Sequence, residues 1–288
     1  MVENLIIAKN IAQAVSCKVS CKVSCRASNK ENSAYLAGGT EINRLNGTVN
    51  ASTLVSIGRI AELDGMSVVD DPRKGSCATA SRFLRIGSMC TFQEIVESND
   101  APQWLKDASR FMASRTKRNM ATIGGNVALM RDDSYLYATL LAAGSLLELV
   151  DIEGNTMFRC TRKYMNEHES FKDCLIAAVL VPMDAIVASK RYANTAESHA
   201  VLTMGAGLVN GELRLAAALK GTGVFLMPHL SELISKGATE DEVLDAAKNH
   251  SGVEVKSDMF GGEAYKRYLL GVTAYDLAKK VLSQGGSR

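Results

Sequence analysis

The stretch Arg118-Asn119-Met120-Ala121-Thr122-Ile123-Gly124-Gly125-Asn126 decides how this chain is read, because an earlier stretch, Ala37-Gly38-Gly39-Thr40-Glu41, carries the same chemistry. In each, paired glycines remove the Cβ atoms that would keep a ligand off the backbone. Neighbouring Thr and Asn side chains supply short polar contacts suited to phosphate or ribose oxygens. Either stretch alone fits a tight turn at the end of a strand. Two in one chain point to a single nucleotide clamp, with the backbone N–H groups of residues 37–40 converging on phosphate.

The surrounding pattern alternates short strands with helices. Residues 5–15 space their apolar side chains at helical intervals and predict a helix from about Lys9 onward. After the polar break at 28–33, Ala34-Tyr35-Leu36-Ala37 reads as a buried strand entering the first glycine turn. Residues 53–57 are β-branched and apolar and read as a strand, with a turn over 60–65. Residues 83–87 alternate as a strand, and Thr91 with Glu94 has the spacing of a capping box opening a helix. Helices are expected over 101–114 and 135–143, placing the second glycine loop between them. Strands follow over 146–152 and 175–181, the latter closed by Pro182. Beyond it, Asn210-Gly211 joins strands 200–209 and 212–218 as a two-residue hairpin. Helices over 240–248 and 264–282 end the pattern, the last with Tyr265, Leu269, Val272 and Leu277 facing inward.

Composition narrows the function classes. The chain has 288 residues, 47% of them hydrophobic, enough for a large core in two or three subdomains. A net charge of +2, with acids and bases interspersed, offers no footprint for a nucleic-acid backbone or an anionic membrane. No apolar run approaches the roughly 18 residues of a membrane span, and the start lacks the features of a signal peptide. A cytoplasmic protein is expected. Seven cysteines, an odd number, argue for reduced thiols over a disulfide framework, and none of the four histidines are paired at zinc spacing.

The two glycine stretches, in this order and followed by an apolar helix-like run, resemble the FAD-binding flavoprotein subunits of the molybdenum hydroxylases. That family includes the subunits or domains of xanthine dehydrogenase and carbon monoxide dehydrogenase. The resemblance spans roughly residues 36–282 and is most specific in the R-N-x-A-T-I-G-G-N string. It implies an α+β chain: a two-subdomain FAD-binding fold of the PCMH type over residues 1–182, divided near 58–65, then a C-terminal domain of a small antiparallel sheet plus helices over 183–288. The cofactor-binding residues it implies are Leu36, Ala37, Gly38, Gly39, Thr40 and Glu41 in the first loop, and Thr122, Ile123, Gly124, Gly125 and Asn126 in the second. Ile176 matches an adenine-packing position. Lys190, fifteen residues before Gly205, matches a lysine near the flavin edge. A side chain at Gly124 or Gly125 is expected to intrude on the cofactor and leave the chain folded.

The resemblance further implies molybdenum cofactor on a large partner subunit, 2Fe-2S clusters on a small one, and electrons passing through FAD to a soluble acceptor such as NAD. Catalytic side chains and a metal site are not expected on this chain, because the flavin carries the redox chemistry. Two competing readings are an independent flavin oxidoreductase of the same fold, which needs its own substrate pocket and proton donor, and a scaffold subunit that has lost FAD.

Two departures from the family pattern stand out. The family places an Asp nine residues after the loop asparagine, where this chain has Tyr135. Asp133 could supply the polar contact instead, and Arg131 could pair with phosphate bidentately. The tandem repeat Val15-Ser16-Cys17-Lys18-Val19-Ser20-Cys21-Lys22-Val23-Ser24-Cys25-Arg26 is an insertion. Cys17, Cys21 and Cys25 share one helical face and in principle could hold an extra iron–sulfur cluster. Their spacing matches no cluster motif, so a neutral, helix-extending duplication is the expectation.

Overall fold

Every position of Leu175–Pro182 is buried, and the molecule is arranged around this strand. The computed structural model describes residues 2–23, 31–42, 51–73, 82–249 and 252–285. Among the described residues, three sheets follow one another along the chain.

The first comprises β1 (Asn4–Ile7), the helix α1 (Ile11–Val23), β2 (Glu31–Leu36) and β3 (Ala51–Ser56), with both strand pairs parallel in the order β1-β3-β2. The helix expected from about Lys9 is α1, and Leu5, Ile6 and Ile7, read together with its apolar spacing, form a strand ahead of it. A short apolar run satisfies either period, and pairing with the β-branched β3 decides it. Ala14, Val15, Val55 and Ile57 bury this layer against Val150, Leu175 and Ala177.

The second sheet carries most of the helices. In chain order come β4 (Met66–Asp70), β5 (Arg82–Gly87), α2 (Phe92–Glu97), α3 (Gln103–Ser109), α4 (Arg115–Arg118), α5 (Ile123–Leu129), α6 (Tyr137–Ala142), β6 (Leu146–Val150), β7 (Thr156–Cys160), α7 (Thr161–Asn166), α8 (His168–Phe171) and β8 (Leu175–Pro182). The strands form an antiparallel sheet ordered β4-β5-β8-β6-β7. Ile176, Val179 and Val181 of β8 face the helical layer with Phe92, Leu105, Ile123 and Leu140, while Ala178 and Leu180 face Phe83 and Leu146. Cover on both faces explains why β8 reads as an unbroken apolar run. The edge strands β4 and β7 are half-exposed and escape a hydrophobic-pattern reading. The capping box forms as expected, with Thr91 accepting from the Glu94 backbone and the Glu94 carboxylate accepting from Thr91 N–H.

The third sheet, ordered β12-β11-β10-β9, is antiparallel: β9 (Ile186–Ala193), β10 (Ala200–Val209), β11 (Glu212–Leu219) and β12 (Gly223–Leu226). Asn210 and Gly211 both have positive φ, 53° and 78°, as a tight two-residue hairpin with the right-handed strand twist requires. One face of the sheet meets α6 so closely that a Cβ on Gly207 would lie 2.3 Å from the Ala142 carbonyl oxygen. The other face packs Leu213, Leu215 and Ala217 on α9 (Pro228–Ser235), α10 (Glu240–Lys248) and α11 (Glu263–Gly285). Leu269 and Leu277 face inward as expected, but Tyr265 is 49% exposed. Its ring covers Gly261 at the helix start, and the neighbouring Lys266 takes the buried place.

Candidate cofactor site

β2 runs parallel to β3 and ends at Leu36, so the first glycine loop leaves at the carboxyl edge of a parallel sheet, where such sheets present their ligands. Gly39 has φ of 69°, a conformation that glycine alone adopts freely. The backbone N–H groups of Ala37, Gly38, Gly39 and Thr40 have no protein acceptor among the described residues. All four residues line a cavity of about 490 Å³. Backbone N–H groups in a folded protein are nearly always paired, and a run of open ones beside a cavity is suited to an anion.

The second loop forms the opposite wall and is built differently. Its glycines do not lie between helices as expected; they form the first turn of α5 itself. Thr122 caps that helix, its hydroxyl accepting from Gly125 N–H at 3.2 Å. The N–H groups of Ile123 and Gly124 donate to the Cys90 and Ser88 carbonyls, both at 3.0 Å, and Asn126 N–H donates to the Thr122 carbonyl. This loop therefore has its first N–H groups already engaged, and it meets the cavity through surfaces instead. Gly125, Ala128 and Leu129 line the cavity at the i, i+3, i+4 spacing of one helical face.

Two glycines are required by packing. A Cβ on Gly124 would lie 2.5 Å from Ser88 Cβ and 2.8 Å from the Ser88 carbonyl oxygen, on the side of the 88–92 turn. Gly124 does not line the cavity, so the expectation that a side chain there spares the fold does not suit its surroundings. A Cβ on Gly38 would lie 1.7 Å from the Met120 carbonyl oxygen: here the two loops touch. At Gly125 the surroundings are more open, with Thr122 Oγ1 at 3.0 Å and Ala37 Cβ at 4.0 Å from an added Cβ.

Charged side chains tie the loops together. Arg131 donates from Nε and Nη2 to the two Asp133 oxygens at 2.7 and 3.0 Å, and from Nη1 to Glu41 Oε1 at 2.6 Å. Asp133 also meets His199 Nδ1 at 2.7 Å and Lys220 Nζ at 3.3 Å. Burial pushes the Asp133 carboxyl up, but the Arg131 hydrogen bond and the charges of Arg131, Lys220 and His199 outweigh it and hold it well below the usual carboxylate range. Arg131, proposed from sequence as a bidentate partner of phosphate, is instead engaged fork-to-fork with Asp133. Asn126 Oδ1 accepts from Ser134 Oγ at 2.9 Å and Leu136 N–H at 3.3 Å, bracing the segment that leads into α6. The backbone donor fixes which amide atom is oxygen, and the Asn126 NH2 is left with no protein acceptor among the described residues.

Of the residues singled out from sequence, Ala37, Gly38, Gly39, Thr40, Glu41, Thr122, Gly125, Asn126 and Asp133 line this one cavity. Leu36, Ile123, Gly124, Ile176 and Lys190 do not line it. Ile123 and Ile176 are buried in the main core. The Lys190 side chain is 45% exposed, with Asp276 at 3.9 Å and the Tyr192 ring beneath it. Arg118 acts as a brace, donating to Gln93 Oε1 and to the Met112 and Ala113 carbonyls. Cys17, Cys90, Cys160 and Cys174 are free thiols. The Cys21 side chain and Cys25 lie outside the described residues, so the repeat's geometry as a cluster is not described.

Sequence reading did not pick out Met112, Met120, Leu129 and His199 as lining residues. Leu129 was available from the helical period counted from Gly125. Met120 stands inside the quoted motif itself. His199 arrives from the third sheet and has no local signal. Among the described residues, no helix is long and apolar enough to cross a membrane.

Residues 2–184 match the family described as the FAD binding domain in molybdopterin dehydrogenase. The chain is 27% identical over 198 residues to the Escherichia coli K12 protein YgfM, covering 67% of this chain and 71% of that one. Its fold matches a chain of quinoline 2-oxidoreductase from Pseudomonas putida 86 with a TM-score of 0.78, at 17% identity and covering 100% of this chain and 99% of that one. It also matches a chain of carbon monoxide dehydrogenase from Hydrogenophaga pseudoflava with a TM-score of 0.79, at 17% identity and covering 99% and 98%. The α+β architecture expected from the sequence is the one these chains share. With the glycine cleft in place and the family match spanning most of the chain, this protein belongs to the FAD-binding domain family of the molybdopterin dehydrogenases.

Proposed function

We propose that this chain is the FAD-carrying electron-transfer subunit of a multi-subunit molybdenum-dependent hydroxylase or dehydrogenase. The observation that carries this reading is the row of four backbone N–H groups at 37–40 that have no protein acceptor among the described residues, in a loop that lines one cavity together with α5. The residues fit a dinucleotide. The row of N–H groups suits a pyrophosphate, the bare Gly125 admits a flat ligand close to the backbone, and Met112, Met120 and Leu129 provide an apolar wall.

When bound, FAD supplies the exchange between two-electron donors or acceptors and one-electron carriers. The chain's own residues hold and orient it. The N–H groups of 37–40 and the Asn126 amide would donate to its oxygens, and Met112, Met120 and Leu129 would shield it from water. On this reading residues 1–182 hold the cofactor and residues 183–288 complete the subunit. A large molybdenum subunit and a small 2Fe-2S subunit deliver electrons, a soluble acceptor such as NAD takes them, and the complex is cytoplasmic. The family membership supports this assignment, as does the sharing of this fold with chains of carbon monoxide dehydrogenase and quinoline 2-oxidoreductase.

The test is an FAD titration of the purified chain followed by flavin fluorescence, with NADH added anaerobically to the loaded protein and to any complex that co-purifies. One FAD per chain, and bleaching of its absorbance by NADH in the complex, is the expected result. Failure to take up FAD either alone or with its co-purified partners would rule the reading out.

A further inference from the structure

A continuous chain of ion pairs runs from the third sheet to the first glycine loop. Lys220 immediately follows β11, and its Nζ lies 2.8 Å from Asp132 Oδ1 and 3.3 Å from Asp133 Oδ2. The backbone holds the same junction, because Gly221 N–H donates to Asp132 Oδ2 at 3.0 Å. Asp133, only 3% exposed, grips Arg131 with both oxygens, and Arg131 reaches Glu41. At the far end Lys266 of α11, fully buried, donates to the Lys220 carbonyl at 2.9 Å, fixing the turn that carries Lys220. Glu41 immediately follows the open N–H groups of 37–40. The N–H groups of 37–40 donate to no protein acceptor among the described residues, so Glu41, at the end of this row, is a point where the rest of the molecule can set the loop's shape.

We propose that Lys220 is a positioning residue for the cofactor cleft: through Asp133 and Arg131 it fixes Glu41, so that the third sheet and α11 set the conformation of the first glycine loop. Lys220 does not line the cavity and acts through these intermediaries. Coupling of this kind travels through side chains that share partners, and it shows as non-additivity between residues that do not touch. The proposal deepens the FAD reading, and one arm of its test is independent of FAD.

The experiment compares wild type, Lys220→Met, Glu41→Gln and the double variant on the full chain, with Lys220→Arg as the conservative rescue. In the apo-protein, amide hydrogen exchange of the 37–41 segment is expected to accelerate about 10-fold in Lys220→Met and to stay within about 2-fold of wild type in Lys220→Arg. With FAD, Lys220→Met is expected to bind about 10-fold more weakly. Glu41→Gln is expected to weaken binding about 5-fold in wild type but less than about 2-fold in the Lys220→Met background. Should Lys220→Met fail to fold by circular dichroism, Lys220→Gln, which keeps a donor for Asp132, carries the same comparison. Unchanged exchange at 37–41 in the folded variant, or strictly additive losses of FAD affinity, would overturn the proposal. Wild-type chain that takes up no FAD alone or with its partners would instead overturn the functional reading, and the exchange measurement would still decide the positioning role.

Discussion

The two glycine loops share a composition and line one cavity, but each is built differently. In the first, the N–H groups of residues 37–40 have no acceptor among the described residues, and the loop is held through Gly38 against Met120 and Glu41 against Arg131. In the second, the corresponding N–H groups are engaged in a helix cap and in bonds to the 88–90 carbonyls. A glycine pair therefore marks close approach of backbone, but what lies beside it differs: the open cavity at one glycine, the protein's own chain at another. The largest effects are expected where the protein itself occupies the space. Gly38→Ala must displace the Met120 carbonyl and Gly124→Ala the Ser88 turn, and each should lose about 3 kcal/mol in urea unfolding and FAD uptake with it. A Gly38→Ala chain of wild-type stability would break the claim that the loops are packed on each other.

Asp133 binds the comparison together, since it links the second loop's continuation to Arg131 and the first loop. Its carboxyl is held below the ordinary aspartate range by Arg131, Lys220 and His199, while Glu41 and Asp132 sit beside the same cations. A group with a depressed folded value contributes stability in full above its unfolded value of about 4, and that contribution is lost as pH falls from there toward the folded value. Asp133→Asn removes the contribution at neutral pH, with an expected loss of roughly 2–3 kcal/mol given cations that are about one-fifth exposed. It should also flatten the acid limb below pH 4. An Asp133→Asn chain whose unfolding free energy falls with acid as steeply as wild type would show that another carboxylate governs that limb.

Both loops, the capping box at Thr91, the Asn210-Gly211 hairpin and α10 were legible in the sequence because each is a local pattern with a local physical cause. β1 is not legible because Leu5 to Ile7 satisfies either period, and only its partner β3, far along the chain, selects the strand. β4 and β7 went unseen because edge strands need no continuous apolar face. In the site, the residues lining the cavity from within the two motifs were read from sequence. Which glycine faces the cavity was not, since Gly124 and Gly125 differ by a rotation about α5 that places one on Ser88 and the other on the cavity. Lys220 and His199 were invisible for a different reason: their roles exist only once the third sheet is folded against the helical layer.

That rotation gives a sharper, intermediate-sized test. Gly125→Ala meets only Thr122 Oγ1 at close range, so its unfolding free energy should fall by less than about 1 kcal/mol while FAD binding weakens about 10-fold. Destabilisation equal to that of Gly124→Ala would erase the distinction between the two positions. Thr122→Ala should cost about 1 kcal/mol by removing the cap on Gly125 N–H, read as a shift in the urea midpoint with an unchanged slope.

The smallest effect is expected at Lys190, and it bears on how far family likeness can be carried to a single residue. The likeness places a lysine beside the flavin edge here, yet this side chain is half-exposed on β9, stacks over Tyr192 and approaches Asp276 on α11, away from the cavity lining. An exposed pair of this kind contributes less than about 1 kcal/mol. Lys190→Met should leave both the urea midpoint and the visible spectrum of FAD-loaded protein unchanged. A cation at the ring edge would instead reveal itself through the spectrum, because its removal alters the electronic environment of the flavin without touching the fold. A shifted flavin absorbance band in Lys190→Met, at wild-type stability, would mean that β9 moves toward the cleft when FAD binds, and that the third sheet contributes to the cofactor surface as well as to the bracing of the first loop.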